Sequence, residues 1–423
     1  MMKFFKKYKK IIYIILFLAL IVLLAILIWN TFFKQSTPIP QVPGTETEDS
    51  RGSLPQSGEG TPQTGEELEP GELPGEEDEG AVNEPEERLS DDGPSPIASG
   101  SFTKTNLSYL GKTLGNTLSG DGTGVQFYDK DQGKFYRLDN NGNIYELSDQ
   151  VFHEVKEISW APDKNKAVLE YPDGSNIIYD FDKQEQVTMP KHWEDFDFSP
   201  QSDKIVAKSI GTDPYNSYLV TSNTDGSSVR SIEHIGENSD KVISSWSPNN
   251  QVAAMYTEST DFDRQDLFFI GLNGENFKST TVEGRDVRAT WSDKGDRLLY
   301  SAYNSNSNLQ PQLWIVNAEG DSIGSNRTNL NLQTWADKCT FSDDRYVYCG
   351  VPENLPEASG LLPDLALETN DNLYRIDTFT GQKDLMAIPD GRYNISEPVI
   401  SDDGSKLYFT DQSTEEIYDI NLK

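Results

Sequence analysis

Two cysteines and three histidines among 423 residues leave little material for metal or redox chemistry. His153, His192 and His234 lack the HxxxH or HExxH spacing of a zinc site, so no local zinc motif is present. No helix-period apolar stripe occurs beyond residue 34, which argues against a helical bundle or a βαβ fold. Basic residues are scarce, 36 against 69 acidic ones, for a net charge of −33. So acidic a surface repels nucleic acid and anionic lipid, and it favours cations or basic partners.

What is present falls into unlike pieces. Residues 1–34 carry six lysines and no acid, net +6. Residues 35–100 carry 17 acids against Arg51 and Arg88, net −15, and the remaining 323 residues hold net −24. Ile11 to Trp29 is a run of 19 uncharged residues. As a helix it is about 28 Å long, against a hydrocarbon core of about 30 Å. Lysines at 3–10 place that end in the cytoplasm by the positive-inside rule. No small-residue cleavage site follows, so residues 11–29 read as an uncleaved single-pass anchor in the plasma membrane, with the rest of the chain outside the cytoplasm. From residue 30 to 100 the chain reads as a disordered acidic linker. Ten prolines, ten glycines and few large apolar residues between 35 and 100 cannot bury enough surface to offset the ordering entropy.

Residues 101–423 carry a repeat. An apolar residue is followed by Ser or Ala, then Pro, Asp or Gly, then a strand: Leu118-Ser119, Trp160-Ala161, Phe198-Ser199, Trp246-Ser247, Trp291-Ser292, Phe341-Ser342 and Ile400-Ser401. The landmarks are 42, 38, 48, 45, 50 and 59 residues apart, a period of propellers and solenoids. Each repeat reads as four strands joined by Asn/Asp/Gly turns, for example Arg297–Tyr303 followed by Gln312–Asn317. The expectation is an all-β, seven-bladed β-propeller, with six or eight blades as alternatives. The landmark aromatics would fill wedges between blades. The seventh repeat runs out of chain before its fourth strand, while Phe102–Tyr109 has no partner. That segment is expected to supply the missing outer strand and close the ring.

The phrases Trp246-Ser247-Pro248-Asn249 and Ser401-Asp402-Asp403-Gly404, with a following Asn/Asp-Gly hairpin such as Asn273-Gly274, resemble the TolB-type (WD-like) propeller repeat of bacterial envelope proteins. The resemblance covers nearly all of 101–423, and it implies fold more than chemistry. It implies a non-enzymatic scaffold for an envelope protein, peptide or glycan. The rival is a propeller hydrolase or lyase with an acidic, calcium-assisted funnel. No Gly-x-Ser-x-Gly phrase is present, so the peptidase domain of related propellers is missing.

Candidate site residues lie in the connections between repeats. Trp193, Arg285, Arg288, Trp335, Arg392 and Tyr393 are expected on the loop face as ligand anchors, beneath a long insertion from Val351 to Asn372. Its leucines are expected either to overhang that face or to pack down. No catalytic residue, cofactor or metal site is assigned. Calcium is considered only at Asp129-Lys130-Asp131 and Asp261-Phe262-Asp263, which lack the further oxygen ligands of a recognised loop. A three-residue loop at Asp343-Asp344-Arg345 would set Cys339 opposite Cys349, within disulfide reach in an oxidising compartment. The alternative is two buried thiols.

Overall fold

The computed structural model describes residues 93–423. The expected anchor at 11–29 and most of the expected linker lie outside the described residues. Among the described residues no helix is long and apolar enough to cross a membrane.

The repeat turns explain the architecture. In five of the seven units the landmark serine is buried, and its hydroxyl both donates and accepts. Ser292 Oγ donates to Asp296 Oδ1 (2.8 Å) and accepts the Arg297 N–H (3.1 Å). Ser119, Ser199, Ser247 and Ser401 likewise donate to Asp121, Asp203, Asn249 and Asp403 and accept the N–H groups of Gly124, Lys204, Val252 and Lys406. Ser and Asp or Asn are thus selected because the turn leaves one strand N–H without a ladder partner, and the hydroxyl relays it to a side-chain oxygen. Ala161 lacks the hydroxyl and keeps only the backbone bonds to Lys164 and Lys166.

Each turn joins the innermost strand of a blade to its second strand. The innermost strands are Thr113–Leu118, Glu157–Trp160, Trp193–Phe198, Val242–Ser244, Arg285–Trp291, Cys339–Phe341 and Ile395–Ile400, in blades 1 to 7. Six landmarks end these strands, and Trp246 lies two residues beyond one. Every blade is a four-stranded antiparallel sheet, with a fifth strand in blade 6. The predicted strand Arg297–Tyr303 is found with those bounds.

The core is seven wedges, one per seam. Tyr128, Phe135 and Phe152 of blade 1 pack on Leu169 and Tyr179 of blade 2, and an equivalent cluster fills every other seam. Trp160 stacks on Phe181 at 5.2 Å and meets Phe135 edge-on at 5.6 Å, so it is a wedge residue. Burying such rings contributes about 1.5–3 kcal/mol each.

The ring closes through the start of the described chain, with one difference from the sequence expectation. The segment 102–109 serves two blades. Ser101–Thr103 pairs in parallel with Ala387–Pro389 as the fifth strand of blade 6. Asn106–Tyr109 then pairs with the strand Ile417–Asn421 as the outer strand of blade 7. The switch happens at Thr105, whose N–H is taken by Asp390 Oδ1 at 2.9 Å instead of by a ladder. The chain is tied down even earlier, since the Ala98 N–H donates to Asn421 O at 2.8 Å.

In blade 6 the three-residue loop forms, with the Ser342 N–H donating to Tyr346 O at 3.0 Å. Cys339 and Cys349 are direct cross-strand partners, with Cα atoms 4.1 Å apart and sulfurs bonded to each other.

Candidate functional site

Four of the seven innermost strands carry a bulge. In blades 1, 3, 5 and 7 two residues oppose one across the first hairpin, between Leu114 and Thr117, Glu194 and Asp197, Arg285 and Arg288, and Ser396 and Val399. The first bulged residue has a positive φ each time: Gly115 at 65°, Asp195 at 57°, Asp286 at 54° and Glu397 at 45°. Such bulges re-aim a side chain at the cost of local strain, which is greater for Glu than for Gly or Asp. Here two of them swing a carboxylate onto the next blade. Glu397 Oε2 accepts the Asn116 N–H at 3.0 Å, and Asp195 Oδ2 accepts the Ser244 N–H at 2.9 Å.

Over blades 5 to 7 this arrangement encloses a cavity of about 270 Å³, lined by Arg288, Trp335, Lys338, Glu397, Gln412 and the insertion residues Pro363 and Ala366. The Arg288 guanidinium lies 5.5 Å over the Trp335 ring and donates to Asp337 Oδ2 at 2.8 Å. Trp335 is 5% exposed, and its buried Nε1 has no hydrogen-bond partner, which is uncommon for an indole N–H. Lys338 Nζ, also buried, sits 2.6 Å from Asp371 Oδ2 and 2.7 Å from Asn394 Oδ1. Burial pushes the Glu397 carboxyl up, against the opposing effect of the Asn116 and Gly115 N–H groups. The wall therefore carries cations, an aromatic ring and a carboxyl that holds its proton more tightly than usual. That set suits a ligand carrying both acceptors and a hydroxyl or amide.

A larger cavity of about 380 Å³ lies by the opposite-face turns of blades 3 and 4. Two of its donors are engaged: Arg230 donates to Leu272 O (2.7 Å), and Trp246 Nε1 donates to Asn250 Oδ1 (2.8 Å). What sets the smaller cavity apart is the Arg288–Trp335 stack and the insertion that lines it.

Of the residues chosen from sequence, Arg288 and Trp335 meet in that cavity and the others do not. Trp193 is buried between blades 2 and 3, 6.5 Å from Phe196. Arg285 caps the Asp261 and Phe262 carbonyls. Tyr393 packs on Phe409 and Tyr418, with Arg392 exposed beside it. Asp129 accepts from Tyr109 and Gln132, Asp261 pairs with Arg264, and Asp263 accepts from Ser305. Among the described residues no cluster of three or more His, Cys, Asp or Glu could hold a metal. Sequence reasoning missed Glu397 and Asp195. A faint signal existed, since Gly115, Asp195 and Glu397 each stand three residues before a landmark.

Comparison with known proteins bears on the fold. No protein-family model matches the chain, and no curated protein does. Among solved structures, an oligogalacturonate lyase in complex with manganese is similar at 15% identity and TM-score 0.50, over 75% of this chain and 90% of that one. A hydrazine synthase of Kuenenia stuttgartiensis is similar at 13% identity and TM-score 0.52, over 74% and 96%. What they share with this chain is the propeller. The TolB-type resemblance of the turn phrases stays at that same level.

A second charged group lies on blades 2 and 3. Glu170 is buried, with Oε1 unpartnered, and is the cross-strand partner of Glu157. Burial, then Glu157 and Asp195, push it up to about 7 from an ordinary 4.5. Between those values the native state holds a proton that the unfolded chain has lost. Stability therefore falls as pH rises through that window, by about 3 kcal/mol at full ionisation. Glu170→Gln is expected to raise the melting temperature by about 4 °C at pH 8 and not at pH 4.5. Melting curves at the two pH values check this; equal shifts would contradict it.

Proposed function

We propose that this chain is a tethered, extracytoplasmic recognition module of a bacterial envelope, and that its propeller holds a protein or glycan ligand in the cavity over blades 5 to 7. The observation carrying this reading is the Arg288 guanidinium stacked over the Trp335 ring in a cavity lined by the long insertion. The apolar run at 11–29 and its flanking lysines support the tether, and the acidic linker supports reach away from the membrane. A protein or glycan suits an aromatic and arginine floor, because both residue types dominate recognition contacts.

The full chain should bind members of a peptide and glycan array. Trp335→Leu, which removes the aromatic ring beneath Arg288, and Arg288→Ala should each weaken that binding about 10- to 100-fold, as expected for truncating an aromatic or arginine anchor. Titration of the array hits by calorimetry reads this out. Unchanged affinity in both variants would overturn the assignment of the cavity.

A further inference from the structure

The insertion that roofs the cavity has two properties that folding alone does not explain. Its backbone is fastened along its length. The Ala358 N–H donates to Asn308 O (2.9 Å) and the Gly360 N–H to Leu309 O (2.8 Å), while Asn394 Nδ2 donates to Ala366 O (2.7 Å). Gly360 lies so close to Tyr303 that an added Cβ would stand 2.6 Å from the Tyr303 Cβ, so the base of the loop is fixed by contact. A short 3₁₀ turn at Pro363–Ala366 then holds the tip.

Yet the side chains on this fastened tip point to water. Leu361, Leu362, Leu365 and Leu367 are 53, 56, 49 and 40% exposed. The sequence left open whether the insertion's leucines overhang or pack down; these four stay exposed, while Leu355 is half-buried. Four leucines exposed within seven residues of a fastened element concentrate apolar surface, which in soluble proteins marks an interaction surface. The ordering entropy that a flexible loop would lose on binding is already spent in the fold. Charge identifies the partner. Glu353, Glu357, Asp364 and Glu368 lie before, among and after the leucines in the chain, and no basic residue lies between 351 and 370. A second copy of this chain or an anionic membrane is repelled by that rim.

We infer that the leucine tip of the insertion docks a cationic amphipathic segment of a partner protein, its apolar face on Leu361, Leu362 and Leu365 and its lysines or arginines on the acidic rim. This rests on the reading of the loop face as a recognition surface, but the two fail separately, because the leucines stand outside the cavity.

The test uses the full chain, captured in a neutral detergent, and a synthetic Leu/Lys peptide of about 18 residues with helical amphipathic spacing. A control peptide has the same composition in scrambled order. The chain should bind the amphipathic peptide at least tenfold more tightly than the scrambled one. The variant Leu361→Ser/Leu362→Ser/Leu365→Ser should lose that preference while keeping its melting temperature and its residual, salt-sensitive binding of both peptides. Arg288→Ala should leave the preference intact. Equal binding of the two peptides by the unaltered chain would show charge attraction alone and overturn the inference. So would an unchanged preference in the triple variant, or a melting temperature lowered by several degrees, which would make the leucines structural. Leucine-dependent binding to neutral phosphatidylcholine vesicles in place of the peptide would assign the patch to a membrane and overturn it too.

Discussion

Deleting residues 101–110 from the full chain is expected to lower its melting temperature by 7 °C or more, and Tyr109→Ala alone by about 4–7 °C. The deletion removes two strands at once, the parallel edge of blade 6 and the outer strand of blade 7. Tyr109 does more than pair. Its ring lies 4.5 Å from Phe127 and 6.2 Å from Tyr136, filling the seam between the last blade and the first, and its hydroxyl donates to the buried Asp129. Removing a buried aromatic costs about 3–5 kcal/mol, since the cavity left behind does not collapse. With an unfolding entropy of about 2.1 cal/mol/K per residue, the roughly 330 described residues give about 0.7 kcal/mol/K, hence the shifts above. Thermal melts of the two variants decide the matter. A melt unchanged by the deletion would mean that the ring closes without this segment.

Lys338→Met should destabilise by about 3–5 kcal/mol, or 4–7 °C, although it replaces a charge with an apolar chain of similar length. Lys338 and Asp371 face each other at 2.6 Å with side chains 7% and 0% exposed. Asp371 also accepts the Ile395 N–H at 2.8 Å, so the pair ties blade 6 to blade 7. Burial already pushes the Asp371 carboxyl up, and Lys338 is the chief opposing influence. Without Lys338 the carboxyl is buried and alone. The double variant Lys338→Met/Asp371→Asn removes the stranded charge and keeps the acceptor for Ile395, so it should recover at least half of the loss. The deficit of the single variant should also shrink toward pH 5, where the lone carboxyl takes up a proton in the fold before the unfolded chain does. Urea titrations at pH 5 and 8 measure both effects; a pH-independent deficit with no rescue would show that Lys338 contributes packing alone.

The blade count and the closure were legible because turns obey local chemistry. Ser292, Asp296 and Arg297 lie within six residues, and the bonds among them need nothing from elsewhere in the chain. The Cys339–Cys349 register was readable for the same reason, since a three-residue loop fixes it. Much less of the site could be read. Arg288 and Trp335 were both chosen from sequence, but that they meet depends on the rotation between blades 5 and 6. The bulges at Asp195 and Glu397 stand outside the alternating pattern by which strands are recognised, and they disclose themselves only once each strand is paired. Asp371 fell inside the expected insertion from Val351 to Asn372, and its partner Lys338 is 33 positions away. Trp193 illustrates the opposite limit, where a connection residue beside Lys191 and His192 read as surface and lies in a wedge.

The strand that closes blade 7 also bears on how quickly the molecule can form. Asn106 meets Asp419 across 313 positions of sequence, whereas the hairpins within each blade join residues a few positions apart. Closing so long a loop costs about 3 kcal/mol more in chain entropy than closing one of ten residues. Blades can therefore assemble one on the next as the chain lengthens, while the last seam waits for residues near 420. Until then Phe127, Tyr136 and Tyr408 have an open side. The slow step of folding, and the period of exposure to wrong partners, is therefore expected at the closure made by residues 101–109.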